Sequence, residues 1–546
     1  MLNVLAEQIV SGLRRKAITT CSKWAETYRV MGQPFPGLWR FDHHPWTREM
    51  HDCQEELIIG QKAAQMGYTE TALNKVFYAI DVQGKSVLYV LPATNPDASD
   101  FSSSRFDPAL EESEHLRKIF SDVQNVGHKR AGNANLFIRG SRSRSQMKSL
   151  PVGMMIFDEM DEMVQENVRL AIERMSGQVE KQAFMLSTAT IDNYGINGEF
   201  KKSSQDHFFF NCPHCSKLTE LIFPDCMVII GDDPSHPSIK DSHLICKECK
   251  HVLDHAGKID WLKNGKWVAG KKECMSRGFY INQLYSMTVR PWEIAESYLR
   301  ARTNPADEQE FYNSKMGVPH LVDGARITQE HVDSAIGGFK QIEKYTGNKL
   351  VTMGVDVGKW LHYEICEWSI TEDSSNDVNL KAKCKVLKAD KVLNFEELDG
   401  LMSSYRIMSC VIDANPERRK ALEFAQRFWG YVKMCFYGNG VTGKTVHVHA
   451  EDQHSITVDR TSWLDVSLGR YKREAIRLPM DISTEYKDHM QALVRVYEKD
   501  GNGNPTGRYV NGHEADHFAH ARNYCEIALQ LGASAGGSQS ITGDIL

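Results

Sequence analysis

Apolar and polar positions follow two rhythms along this chain, and the switches between them mark its elements. Short apolar runs ending on small or charged residues predict buried strands at Leu57–Lys62, Lys85–Thr94, Val152–Glu159 and Ala183–Leu186. Thr69 to Asp81 instead shows the recurrence of a helix, and a further helical segment begins at Ser102 to Pro108. Strand, loop, helix and strand in that order open an α/β sheet. Three of these strands leave through polar residues, which puts those exits on one edge of a parallel sheet, where ligands bind in such folds. The pattern restarts at Lys349–Gly358, continues through Tyr363–Trp368, and returns at Ile407–Asp413, with a helix from Pro416 to Trp429. That order is how an RNase H-like sheet begins.

Composition adds bounds rather than identity. At 546 residues the chain has room for two to four domains, taking roughly 150 residues for each. Its 41% hydrophobic and 25% charged content is that of an ordinary globular protein. No apolar run reaches the roughly 20 residues that span a bilayer. The N-terminus lacks the order of a signal peptide, so an intracellular protein with an amphipathic first helix is expected. A net charge of −6 means that any DNA contact must come from local patches. Thirteen cysteines, only four of them in paired spacing, fit a reducing compartment with one metal site.

The loop after Leu57–Lys62 carries the first chemistry. A phosphate-binding loop has the frame G-x-x-x-x-G-K-[ST], in which amides surround the phosphates, a lysine reaches the terminal ones and a hydroxyl ligates Mg2+. With Gly67 as the second glycine, Thr69 takes the hydroxyl position, Tyr68 replaces the lysine and Lys62 stands at the first glycine. A lysine on the ascending side can still point at the phosphates while the following helix offers its amides and dipole. Upstream, Trp46 either packs on the first domain, which its setting slightly favours, or stacks on adenine. Asp158 and Glu159 close an apolar strand, the pattern in which an aspartate holds Mg2+ and a glutamate orients or deprotonates water. Ser187, Thr188 and Thr190 follow the next strand, where helicase-like motors sense the γ-phosphate and pass the change on. Arg105, Arg139, Arg142 and Arg144 are candidates for the arginine that stabilises a transferring phosphoryl group; those at 139–144 read equally as a solvated edge or a DNA patch.

Gly438 to Thr445 matches the phosphate-loop expression letter for letter, but Val446-His447-Val448-His449 follows it in strand-like alternation. A phosphate loop needs a helix there, so this reads as a hairpin or substrate-side loop.

Cys212 with Cys215 and Cys246 with Cys249 are two C-x2-C knuckles separated by 30 residues. Each puts two thiolates about 4 Å apart on a tight turn, and together they make a closed, structural four-cysteine Zn2+ site. His214 reads as a turn residue, and Cys226 and Cys274 as ordinary cysteines. In the C-terminal half, Asp356 sits inside an apolar strand, where a carboxylate is costly unless paired or metal-bound. Asp413 ends a later strand, and Asp516 opens a C-terminal helix with Glu514 and several histidines nearby. Three acids on neighbouring elements can clamp two Mg2+ or Mn2+ ions that cleave a phosphodiester.

The ensemble resembles the large subunit of tailed-phage DNA-packaging terminases, the lambda-type family with a zinc insert. The resemblance rests on Lys62 with Gly67-Tyr68-Thr69, on Asp158-Glu159, on Ser187 to Thr190, on Gly354 to Gly358, on Val411 to Pro416 and on Asp516, and covers about residues 30 to 530. It implies an ATP-driven motor that threads double-stranded DNA through the portal protein into an empty procapsid, and a nuclease that cuts the concatemer. It also implies a terminase small subunit as partner, a homo-oligomeric ring on the portal, ATP as substrate and action in the host cell cytoplasm. The family pattern has a glutamate three residues before the third acid. That position is His513 here, so the register of the third carboxylate stays open.

The expected organisation is therefore a helical leader over 1–50, a P-loop ATPase domain over 51–205 and a zinc-ribbon-like insert over 206–280. A helical linker over 281–345, an RNase H-like nuclease domain over 346–533 and a flexible tail over 534–546 complete it. A helicase-nuclease of repair or defence would need a second motor lobe, which 198–350 does not supply. A zinc-dependent nucleic-acid-binding scaffold with degenerate sites is the alternative from outside the enzymes.

Overall fold

The computed structural model describes residues 20–121, 123–144, 150–370, 377–438, 440–499, 505–512 and 514–536. Residues 1–19 of the leader, His513 and residues 537–546 of the tail fall outside these residues. The chain separates into two compact units, Met1–Val322 and Asp323–Leu546. Among the described residues, no helix is long and apolar enough to cross a membrane.

In the first unit, β1 (Leu57–Lys62), α1 (Tyr68–Asp81), β2 (Val87–Leu91), β3 (Ala134–Gly140), β4 (Met154–Asp158), β5 (Gln182–Ser187), β6 (Asp206–Asn211) and β7 (Arg277–Ile281) carry the architecture. The seven strands are parallel in the order β6-β7-β1-β5-β4-β2-β3. Nearly every position of β1, β2, β4 and β5 is buried, as strands covered on both faces require. Short antiparallel strands extend both ends, His128–Ala131 on β3 and Lys266–Ala269 on β6.

Both ends of the four-cysteine segment are strands of this main sheet, β6 and β7, so the knuckles hang from the sheet itself. The stretch from Asn282 to Val322 also lies within the first unit. There Ala63 donates its amide to the Ile281 carbonyl at 2.9 Å, and Ala64 donates to the Ser314 carbonyl at 2.7 Å.

The second unit is built on β8 (Leu350–Val357), β9 (Leu361–Ile370), β10 (Ala382–Val392), β11 (Ser409–Asp413), β12 (Val432–Tyr437), β13 (Val446–Val448) and β14 (Ser455–Val458). Helix α2 (Arg460–Lys472), β15 (Ile476–Arg477) and α3 (His517–Gly536) follow. The order is β13-β14-β12-β11-β8-β9-β10-β15: β8, β9 and β10 form an antiparallel meander, with β11, β12 and β14 added in parallel beyond β8. Helix α3 crosses β8 and β11 closely. A Cβ on Gly354 would collide with the Ala521 carbonyl and the Cys525 amide, so glycine sets that approach.

Beneath α3 lies a charged core. Arg470, Arg522, Glu526 and Glu364 are all 0% exposed. Arg470 donates to both carboxylate oxygens of Glu526 at 2.6 Å, and Arg522 bridges Glu526 to Glu364. Tyr486 donates to Glu364 at 2.6 Å and Asn379 to Glu526 at 2.7 Å, so these buried charges are paired and hydrogen-bonded.

Candidate functional sites

Parallel register sets the ATPase-side geometry. Gln61 pairs with Ser187 across β1 and β5, and Asp158 with Leu186 across β4 and β5, so three strand ends reach one edge together. Between β1 and α1 the chain turns through Gln65 and Gly67, both at positive φ, and at Gly67 that value of 80° favours a residue without a Cβ. Lys62 reaches across this edge: its ammonium lies 3.0 Å from Glu159 Oε1. Burial pushes the Lys62 pKa down, but the charges of Glu159 and Asp158 outweigh it and hold it above the ordinary lysine value. Thr69 Oγ1 lies 3.4 Å from Asp158 Oδ1, and the Tyr89 hydroxyl donates to Oδ2 at 2.6 Å. Burial, and then the neighbouring Glu159 charge, push the Asp158 carboxyl up to about 6. Glu159 itself has φ 61° and ψ 54°, a left-handed conformation that non-glycine residues seldom hold and that clusters at functional sites.

Lys62, Thr69, Asp158 and Glu159 thus converge. Gly67 caps α1 behind them, whereas the Tyr68 side chain turns away, 1% exposed, with its ring against Gly60. Trp46 is fully buried and donates to the Met66 carbonyl at 2.9 Å, which is the packing role and leaves no face for a base.

Ser187 accepts from the Asp161 amide at 3.2 Å. The Thr190 amide donates to Asp161 Oδ2 at 2.8 Å, and the Thr190 carbonyl accepts from Asn313 at 3.0 Å and from the His320 amide at 3.2 Å. Thr188 is only partly buried. Asp161 therefore ties the turn after Asp158-Glu159 to the exit of β5, and burial pushes its carboxyl up to about 7. Sequence reading passed over it as one acid among Asp158, Glu159 and Glu162. Among the arginines, Arg105 pairs with Glu70 at 3.5 Å and Arg144 with Glu166 at 2.7 Å, while Arg139 donates to the Ile138 carbonyl at 2.9 Å. Arg142 is exposed.

The loop at Gly438 to Thr445 runs into β13, which pairs antiparallel with β14, so a strand and not a helix follows it. Its Lys444 is paired with Asp377; Asn439 lies outside the described residues.

The two knuckles share one geometry. Ser216 and Lys250, each at φ 58°, close matching turns in which Ser216 donates to Cys212 and Lys250 to Cys246 at 2.9 Å. The sulfurs of Cys212, Cys215, Cys246 and Cys249 all lie within 4.8 Å of one another, with Cys212 and Cys249 at 3.9 Å. Tetrahedral zinc with bonds of about 2.3 Å needs sulfurs about 3.8 Å apart, so the four cysteines fit that ion. The rings of His214 and His251 stack at 3.7 Å on the outside of the turns.

In the second unit, β8 and β11 run parallel with Val355 opposite Ile412, so Asp356 and Asp413 stand abreast one residue further on. Burial and the Asp356 charge push the Asp413 carboxyl up to about 6. Asp516 precedes α3 and lies 3.4 Å from His520 Nε2, with Asn511 donating to it at 3.2 Å. Burial raises its pKa, but His520 and Arg460 outweigh this and hold it below the usual carboxylate range. Asp356 is 6% exposed, and its Oδ2 meets His517 Nδ1 at 2.8 Å. The donor atoms that cluster within 4.8 Å of Asp356 are those of His362 and His517. The approach of His362 depends on strand pairing and carries no local signal.

The two units have the folds of a P-loop ATPase with a zinc-ribbon-like insert and of an RNase H-like nuclease. The model of the phage terminase large subunit gpA ATPase domain matches residues 33–267, and that of the terminase large subunit gpA endonuclease domain matches residues 276–534. Spanned by these two successive domains, the chain belongs to the phage terminase large subunit gpA family. No curated protein sequence matches it. Among solved structures it is similar to the large terminase of a thermophilic bacteriophage, at 10% identity over 86% of this chain and 93% of that one, with a TM-score of 0.29. The ATPase domain of the Thermus phage P74-26 large terminase matches at 12% identity over 50% and 91%, TM-score 0.31. The large terminase nuclease of thermophilic phage G20c with bound magnesium matches at 13% over 36% and 94%, TM-score 0.23.

Proposed function

We propose that this packaging ATPase-endonuclease divides its chemistry as follows. Lys62 holds the β- and γ-phosphates of ATP, the turn through Gly67 and the backbone at Tyr68 form the loop behind them, and Thr69 and Asp158 hold Mg2+. Glu159 orients or deprotonates the attacking water. Ser187, Thr188 and Thr190 pass the nucleotide state onward. The observation that carries this reading is the approach of Lys62 to Glu159 at 3.0 Å beside Thr69 and Asp158 at 3.4 Å, four side chains from three elements at one sheet edge. Mg2+ bound there would neutralise charge on the phosphates.

Asp356, Asp413 and Asp516 are the proposed nuclease carboxylates. A pair of Mg2+ or Mn2+ ions on them would activate water and stabilise the leaving oxygen of double-stranded DNA. Cys212, Cys215, Cys246 and Cys249 hold Zn2+ with no open position, a structural role. The working context in this reading is the host cell cytoplasm, with the small subunit delivering concatemeric DNA and a ring of these chains seated on the portal protein.

ATPase and nuclease assays on the purified chain, with and without portal and small subunit, test the scheme. DNA-stimulated hydrolysis should be lost in Lys62→Ala, and metal-dependent plasmid cleavage in Asp356→Asn. Hydrolysis indifferent to Lys62→Ala would remove the phosphate-loop assignment, and cleavage persisting in Asp356→Asn would remove the first carboxylate.

A further inference from the structure

Asp356 has a different neighbour on each side of its strand. Asp413 stands abreast on β11, while across the antiparallel pair with β9 its partner is His362. Laterally paired residues of adjacent strands share a face of the sheet. Helix α3 brings His517 onto this one, with Nδ1 2.8 Å from Asp356 Oδ2. One donor atom from each of Asp356, His362 and His517 lies within 4.8 Å of the other two. The His362 and His517 rings stack with centroids 4.6 Å apart, and His489 lies 5.8 Å from both.

A second observation concerns His362 alone. The residue is 4% exposed and its Nδ1 is buried without a hydrogen-bond partner. Buried polar atoms are nearly always satisfied, so one left open on a member of this cluster points to a missing partner. The Glu485 carboxylate, 3.8 Å from His362 Nε2, is engaged by Lys391 at 2.7 Å.

We infer that Asp356, His362 and His517 form a cation position chemically unlike the carboxylate flank of Asp356 and Asp413, and that it takes a transition-metal ion such as Mn2+ in preference to Mg2+. Carboxylate and water suit Mg2+, whereas an imidazole nitrogen favours a first-row transition ion over Mg2+. The two flanks of Asp356 thus present different donor sets, and the nuclease acquires a metal selectivity that three carboxylates alone would not give. The inference rests on the nuclease reading of this site.

Electron paramagnetic resonance on the zinc-loaded full chain titrated with Mn2+ provides the test. The wild-type spectrum should show nitrogen hyperfine coupling from directly bound imidazole. His517→Ala should lose part of that coupling and weaken Mn2+ binding by about 10-fold or more, with Mg2+ affinity, read by competition, changing by less than about 2-fold. His362→Gln, an amide in place of the buried ring, should act in the same direction. Wild-type Mn2+ without nitrogen coupling, or an equal loss of affinity for both ions, would overturn the inference. Plasmid cleavage in the same preparations separates the two levels. Cleavage lost in Asp356→Asn, with no nitrogen coupling in the wild type, leaves the nuclease reading standing and removes only the mixed site. Cleavage retained in Asp356→Asn removes both.

Discussion

Lys62 and Glu159 hold one another across the phosphate-loop edge, with the ammonium 3.0 Å from Oε1 and the two side chains 6% and 41% exposed. The lysine is fixed in the protein while the glutamate reaches toward solvent, so the mobile partner is the acid. On the proposed assignment an incoming phosphate would compete with Glu159 for the cation and at the same time free the carboxylate for water. Glu159→Gln should therefore keep or tighten nucleotide binding while lowering kcat for DNA-stimulated hydrolysis by about 100-fold or more. Fluorescent-nucleotide binding set beside steady-state kinetics checks the split, and parallel loss of binding and turnover would contradict it.

Tyr89 is a positioning residue for Asp158. Tyr89→Phe keeps the buried ring and removes only the 2.6 Å hydrogen bond to Oδ2. Such supporting contacts are typically worth about 10-fold or more in metal affinity, so the Mg2+ concentration for half-maximal ATPase activity should rise by that factor, with little change at saturating Mg2+. An unchanged Mg2+ requirement would show that the hydroxyl does not support the aspartate.

The four cysteines should carry one zinc per chain by elemental analysis. Cys212→Ser should lower that content and destabilise the insert, because metal binding at such a site is folding free energy. Full zinc content and an unshifted thermal transition in this variant would remove the site.

Glu526 lies between Arg470 and Arg522, and although burial pushes its pKa up, these cations win and hold the carboxyl down at about 2, against 4.5 for a free glutamate. A folded-state pKa below the unfolded one adds stability that is complete above pH 4.5 and is lost as the pH falls through 2. The contribution is on the order of 3 kcal/mol. Glu526→Gln leaves Arg470 buried without its carboxylate and should cost about 3–5 kcal/mol at neutral pH in the unfolding of the second unit. Denaturant titration at pH 7 and at acid pH measures both quantities, and a loss below about 1 kcal/mol would deny the network its role.

What could be read from the residue order, and what could not, divides along sequence distance. Stretches such as Val87–Leu91 and Met154–Phe157 are apolar throughout because both faces are covered, and this marks them without any knowledge of their neighbours. The knuckles were legible for the same reason, since C-x2-C carries its own turn. Strand order is not local: nothing in Ala183 to Leu186 says that β5 lies between β1 and β4. Nor does any local signal announce that His362 faces Asp356, that Tyr89 reaches Asp158, or that Asp161 receives two amides from beyond β5. Trp46 stood open between packing and stacking until its indole N–H was found on the Met66 carbonyl. The pairing of Arg470 with Glu526 likewise depends on α2 meeting α3.

Gln61 facing Ser187 and Asp158 facing Leu186 make the catalytic edge a stiff plate whose rungs cannot slide independently. In the proposed scheme a change of nucleotide state leaves that plate through the exit of β5, which ends at Ser187 and runs on to Thr190. Asn313 and the His320 amide grip the Thr190 carbonyl there, and Val322 ends the first unit two residues later. On the proposed assignment the segment from Asn313 to His320 would carry that change away from the β5 exit. Asn313→Ala should let the chain burn ATP while moving less DNA per molecule consumed, and unaltered packaging per ATP would locate the stroke elsewhere.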